Sequence, residues 1–181
     1  IPLIVEEYRQ AAVNAKKAGF DMVEIHAANG YLIDQFLRDS SNVRADNYGG
    51  SIQNRTRLLL EIIDAVSTIY TPNRIGCRIG PSSEFNDIQD SDPQTLFNFV
   101  AEQLGRKSLG YIHVIEGQTG VDRNSEIFDY NKIYQTFKMH GDIASMANNG
   151  YDKHLAETTS VDLVAFGVPF IANPDLVYRL E

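Results

Sequence analysis

The chain has 181 residues, 43% of them hydrophobic and 22% charged, with a formal net charge of −8, the composition of one ordinary globular domain spanning 1–181. The acidic balance and the lack of lysine or arginine runs exclude nucleic acid as a main partner, and a single cysteine, Cys77, excludes an internal disulfide framework. No apolar stretch reaches the roughly 18 residues of a membrane span and no basic start leads into an apolar run, so a cytoplasmic protein without a membrane partner is expected.

In chain order, Ile4, Tyr8, Ala11, Ala12, Ala15 and Ala18 recur at helical spacing, and Gly19 closes that helix. Met22 to His26 is short and β-branched; Val23 and Ile25 share one face, while Met22, Glu24 and His26 share the other, a strand with a polar inner face. Ser51 is placed to cap a long helix carrying Leu58, Leu59, Ile62, Ile63, Val66 and Ile69, and Pro72 lies beyond its end. Alternation continues with a strand at Ile75 to Ile79, a helix from Pro93 to Leu104, a strand at Tyr111 to Ile115 and a helix around Asp129 to Lys138. Strands at Asp142 to Ala147 and Asp162 to Phe166 flank a short helix from Asp152 to Thr159, and Asn173-Pro174 caps a last helix. The polar stretches Gly80 to Asp92 and Gly117 to Glu126 read as loops.

Alternating strands and helices predict an α/β fold with a parallel sheet. An open doubly wound sheet fits poorly, because the chain opens on a helix and has no GxGxxG after its first strand. A (β/α)8 TIM barrel fits better, but a complete one takes eight strands and about 250 residues. The expectation is therefore a partial barrel, about five C-terminal strands with their helices.

Barrel chemistry sits at the C-terminal strand ends. After the first strand come His26, Asn29 and Tyr31, all able to donate hydrogen bonds. Donors converging on one oxygen polarise a carbonyl or nitro group, and a tyrosine can deliver a proton; a histidine satisfied by the backbone beside a loop asparagine is the alternative. Arg78 shares a face with Gly76 and Gly80, pointing inward, where it needs an anionic or carbonyl-rich partner or a structural ion pair, for instance with Glu24. Cys77, on the apolar face, reads as packed core. His26, His113, His140 and His154 are scattered without ligand spacing, so no metal site is expected. Asn148-Asn149-Gly150 and Gly167-Val168-Pro169 follow the last two strands, where barrels hold phosphate.

The strings Gly19-Phe20-Asp21 leading into Val23-Glu24-Ile25-His26, Gly30 to Leu37, Arg44-Ala45-Asp46-Asn47-Tyr48-Gly49-Gly50-Ser51 through Arg55, and Ala165-Phe166-Gly167 with Phe170 to Leu176 resemble the old yellow enzyme family, FMN-dependent ene-reductases. The resemblance covers essentially the whole chain and implies that it runs from the helix before the fourth barrel strand to the helix after the eighth. It also implies noncovalent FMN at the barrel mouth, reduced by NADPH or NADH, passing hydride to the activated C=C of an α,β-unsaturated carbonyl or nitro compound. His26 and Asn29 would bind the substrate oxygen, Tyr31 would protonate the α-carbon, and Arg78 would face the flavin pyrimidine edge, where positive charge stabilises the reduced ring. Asn149, Gly150, Gly167 and Val168 would lie at the phosphate. There the chain departs from the family, with Val168 in place of an arginine that grips phosphate and Asn149 in place of a glycine. Two readings follow: an oxidoreductase working within a complete barrel, or a truncated or degenerate homologue without flavin or turnover. A partial barrel also leaves sheet edges open, which predicts self-association.

Overall fold

A computed structural model describes residues 1–118, 128–141 and 143–181. The expected loop from Gly117 to Glu126 and the expected strand start at Asp142 lie largely or wholly outside the described residues. Helix α1 (Pro2–Lys17) opens on a proline at its first turn, packs Val5, Tyr8 and Ala12 inward, and stops where Gly19 takes φ +88°. Strand β1 (Val23–Ala27) leads into α2 (Leu32–Leu37), and α3 (Ile52–Ser67) begins at Ser51, whose hydroxyl accepts from Asn54 N at 3.3 Å. A single 3₁₀ turn at Pro72–Arg74 enters β2 (Ile75–Ile79); α4 (Pro93–Arg106), β3 (Tyr111–Ile115) and α5 (Tyr130–Lys138) follow. Then come β4 (Ala144–Asn148), α6 (Lys153–Thr158), β5 (Leu163–Ala165), α7 (Val168–Ala172) and α8 (Leu176–Leu180).

The five strands form one parallel sheet in the order β1-β2-β3-β4-β5. Ile25, Ala27, Ile75, Cys77, Ile79, Ile112, Val114 and Ala147 point to one face and are buried in a single core with Leu58, Leu59, Ile62 and Ile63 of α3, Phe97 and Val100 of α4, and Ile133 and Phe137 of α5. The opposite face carries residues in lateral rows set by the register: Glu24, Gly76, Tyr111 and Ala144 in one, His26, Arg78, His113 and Met146 in the next. Helices on one face and polar rows on the other make this five staves of a barrel wall, open between β1 and β5.

The strand assignments hold to within two residues, but the helices need correction. Helix α2 was not anticipated: it is six residues long, and its buried face, Ile33, Asp34 and Leu37, includes a carboxylate that interrupts the apolar stripe. Helix α7 was also not anticipated, and it displaces the expected cap at Asn173. That residue ends α7, its side chain donating to Pro169 O at 2.9 Å, while α8 starts after Asp175. Proline at the second position of α7 supplies the fixed φ that a helix start tolerates.

Because Leu59 is fully buried and Leu3 is 80% exposed, Leu59→Ala should cost about 2–5 kcal/mol and Leu3→Ala less than about 0.5 kcal/mol, as read from urea unfolding midpoints.

Candidate functional site

The loop after β1 turns sharply through two left-handed residues, Asn29 (φ 59°) and Gly30 (φ 69°). Glycine is required there, since a Cβ would stand 2.7 Å from Asn86 Cβ and 2.8 Å from Phe85 O. This turn brings Tyr31 back toward His26, with ring centroids 5.7 Å apart and planes inclined at 50°. Tyr31 is half-exposed, and the Asn29 carbonyl accepts from Asn86 Nδ2 at 2.8 Å, tying the turn to the loop after β2.

Beneath it lies a buried ion pair. Asp34 Oδ1 accepts from Arg38 Nε at 3.0 Å and Asp34 Oδ2 from Gly30 N at 3.0 Å, while Arg38 also donates to Gly80 O at 2.6 Å and Pro81 O at 3.1 Å and stacks over Phe97. Gln35 Nε2 donates to Gly30 O at 2.6 Å. A second pair, Arg55 with Asp90 at 2.5 Å, fastens the loop after β2 to the start of α3. These residues were missed as site supports from sequence; the i, i+4 spacing of Asp34 and Arg38 was the available signal.

On the interior face His26 and Arg78 are register neighbours. Burial, and then the charge of Arg78, lower the His26 pKa from its ordinary value, so the imidazole is neutral at pH 7. The ion pair considered between Arg78 and Glu24 does not form. Glu24 Oε2 instead meets His113 Nδ1 at 2.8 Å, and the Tyr111 hydroxyl lies near its carboxylate. Burial raises the Glu24 pKa, but the His113 hydrogen bond and charge, the nearby Tyr111 hydroxyl and the Arg78 charge outweigh it and leave it below the usual carboxylate range. Arg78 Nε is buried without a hydrogen-bond partner, as is Asn148 Oδ1 at the end of β4. Cys77 is fully buried on the core side and burial pushes its thiol up, as expected of packed core.

At the other strand ends, Asn149 (φ 90°) and Gly150 (φ 68°) form a left-handed turn. The Asn149 amide points to the loop after β3, donating to Glu116 O at 2.7 Å and Gln118 O at 2.9 Å. Gly167 precedes α7 and Val168 is its first residue, with 79% of its surface exposed. The structure thus groups His26, Asn29, Tyr31 and Arg78 in or just after the adjacent strands β1 and β2, and Asn149, Gly150, Gly167 and Val168 just after the adjacent strands β4 and β5, all at the C-terminal edge of the sheet.

A partial (β/α)8 barrel, five parallel strands with polar strand ends, defines the class of this protein. The model of the NADH:flavin oxidoreductase / NADH oxidase family matches residues 1–181, and the chain belongs to that family. It is 42% identical over 186 residues to putative 12-oxophytodienoate reductase-like protein 1 of Arabidopsis thaliana, covering 100% of this chain and 56% of that protein. To 12-oxophytodienoate reductase 7 of Oryza sativa subsp. japonica it is 42% identical over 198 residues, covering 50% of that protein. Among solved structures, morphinone reductase in complex with tetrahydroNAD superposes with a TM-score of 0.87 at 40% identity, over 99% of this chain and 48% of that one. The old yellow enzyme homologue from Zymomonas mobilis gives 0.88 at 35% identity, over 98% and 51%. The chain spans about half the length of the curated relatives it matches.

Arg38→Ala should cost about 3–5 kcal/mol, because Asp34 would be left as an unpaired buried charge, and Asp34→Asn/Arg38→Met should recover part of it in urea unfolding. His26 should titrate below 6.5 by NMR, and Arg78→Gln should raise its midpoint. A histidine whose folded pKa is depressed stabilises the fold above its unfolded value, and that contribution is lost as pH falls from about 6.5 through the folded midpoint.

Proposed function

We propose that this chain is the substrate-facing portion of an FMN-dependent ene-reductase, reducing the activated C=C of α,β-unsaturated carbonyl or nitro compounds. The observation that carries the reading is the approach, in a chain of this family, of His26 and Tyr31 across the turn that holds Asn29, beside an Arg78 that has no ion-pair partner among the described residues. FMN fits the interior face: the orphaned donor Arg78 Nε and acceptor Asn148 Oδ1 suit a ring that carries both carbonyl and N–H groups. At the phosphate end the fit rests on backbone amides and Gly150 and Gly167, since Val168 offers no cation and the Asn149 amide is engaged by carbonyls.

Bound FMN would supply the hydride, drawn from NADH or NADPH; a nicotinamide analogue is bound by the morphinone reductase relative. His26, neutral at pH 7, can donate one N–H to the substrate oxygen, and Asn29 stands on the same turn to donate a second. Two donors fixed on a braced turn stabilise charge as it develops on that oxygen. Tyr31 Oη, exposed at the start of α2, is placed to hold the proton for the α-carbon. Arg78 would hold a positive charge beside the ring, which would favour its reduced, anionic form.

Two further parts of the reading concern the chain as a whole. Residues 1–181 act as one unit, in a cytoplasmic setting consistent with a lone buried thiol. β1 and β5 are open edges, and Leu163, Val168, Phe170, Ile171, Val177 and Tyr178 are exposed near the second, so the chain associates with a second copy. Val168 favours the competing reading, a homologue without flavin.

Titration of FMN fluorescence with the 181-residue chain, alongside sedimentation velocity, tests this. Saturable quenching at micromolar protein, in a species larger than a monomer, is expected, with enone-dependent NADPH oxidation falling by about 10²-fold or more in Tyr31→Phe. A monodisperse monomer that leaves FMN unquenched at high micromolar concentration would establish the flavin-free reading.

A further inference from the structure

The interior charges are arranged in an unexpected way. Arg78 is half-buried, and Glu24 is the carboxylate whose charge acts on it. Such a pair ordinarily closes into a bidentate contact. Here no Arg78 nitrogen lies within ion-pairing distance of a described carboxylate, and Nε is left buried without an acceptor.

The cause can be followed along the two rows of the sheet. Glu24, Gly76 and Tyr111 are lateral neighbours on β1, β2 and β3. Gly76 has no side chain, so the Tyr111 ring lies across it: a Cβ at Gly76 would stand 2.1 Å from Tyr111 Cζ. The ring thereby spans one strand and carries its hydroxyl toward Glu24, on which it acts. In the next row His113 is the neighbour of Arg78, yet its ring bypasses the arginine and sets Nδ1 2.8 Å from Glu24 Oε2. The His113 side chain is nine-tenths buried and its Nε2 has no partner, so its one hydrogen bond is the one to Glu24. Nδ1 carries the hydrogen that is donated there.

We propose that His113 and Tyr111 are positioning residues that hold the Glu24 carboxylate away from Arg78, leaving its guanidinium without a direct ion pair and its positive charge available to an anionic ring in the barrel interior. Removing these two donors frees Glu24 to swing onto Arg78 and cancel that charge. The proposal rests on the flavin reading for the identity of the anion, but the withholding of Glu24 is a property of this chain's own residues.

The test uses His113→Leu, with Glu24→Gln/His113→Leu as the decisive companion. Without flavin, the Arg78 Nε–H resonance in the 181-residue chain should move downfield in His113→Leu, and its exchange with water should slow. The double variant should return both to wild-type values, because no carboxylate remains to be captured. A structural lesion at position 113 would persist in the double variant and would overturn the proposal, as would an Arg78 signal unmoved by His113→Leu. If His113→Leu fails to fold, Tyr111→Phe, which keeps the ring over Gly76 and removes only the hydroxyl, decides the matter with and without Glu24→Gln. With FMN bound, His113→Leu should reduce the preference for reduced over oxidised flavin by on the order of tenfold, again restored by Glu24→Gln. Failure of FMN to bind would refute the flavin reading while the Arg78 resonance still judged this one.

Discussion

The buried pair of Asp34 and Arg38 is the contact on which the strand-end geometry depends. The carboxylate holds the Gly30 amide, and the guanidinium holds the carbonyls of Gly80 and Pro81, so one ion pair joins the turn after β1 to the end of β2. Burial pushes the Asp34 carboxyl above its ordinary value, opposed by Arg38 and the Gly30 amide. Taking two charges out of water at that depth is unfavourable unless their remaining valences are filled. Arg38 fills its own with two carbonyls and the face of Phe97. An apolar pair of similar size could pack as well, but it could not grip three backbone groups from two loops. What the ions contribute is position. The distance from His26 to Tyr31 is set by a turn whose glycine is clamped from below by Asp34 and covered from the side by Phe85 and Asn86.

The same economy of charge governs the interior face. Arg38 and Arg55 are saturated by carboxylates and carbonyls and serve structure. Arg78 is treated oppositely: the sheet places it next to His26 and His113, and the nearby carboxylate is occupied by other donors. The burial that lowers the His26 pKa is reinforced by this uncompensated cation. A single arrangement thus keeps the imidazole neutral, able to donate through one nitrogen, and keeps a positive charge at its side. Had Glu24 paired with Arg78, both effects on the site would have weakened together.

The sheet was legible in the sequence because its strands carry two different alternations. β-Branched and small residues on the core side of β1, β2 and β3 mark strands by themselves, and polar residues at every second position mark which face is inward. His26 and Arg78 could therefore be placed on one face before any coordinates. The short helices were not legible for opposite reasons. α2 hides a buried Asp34 in its apolar stripe, and α7 has no buried residue to betray a face. The supporting shell was illegible because its partners are far apart in sequence: Arg38 with Gly80, Arg55 with Asp90, and His113 with Glu24 are joined only by folding. Periodicity reports which side a residue faces, and it carries no information about which of several inward charges will find each other. The Glu24 to Arg78 pair was a reasonable expectation from proximity on adjacent strands; Gly76 decided against it by letting Tyr111 lie across the gap.

The two ends of the sheet differ in how completely they are built. Around β1 and β2 the turn, the ion pairs and the covering loop are mutually braced, and the core beneath is fully buried. Around β5 the strand is three residues long, α7 buries none of its residues, and α8 buries only Leu176 among its own. Stability is therefore graded across the sheet, highest around His26, Asn29 and Tyr31 and lowest around Gly167 and Val168. Val168 lies at the weak end, on a surface rich in exposed apolar side chains. Apolar exposure of that extent is relieved by contact with more protein, and such contact would cover the faces of α7 and α8 that the rest of the chain leaves exposed. Completing the barrel wall would then also cover the strand ends around Asn149 and Val168. His26, Asn29 and Tyr31, braced from within the chain, do not depend on it.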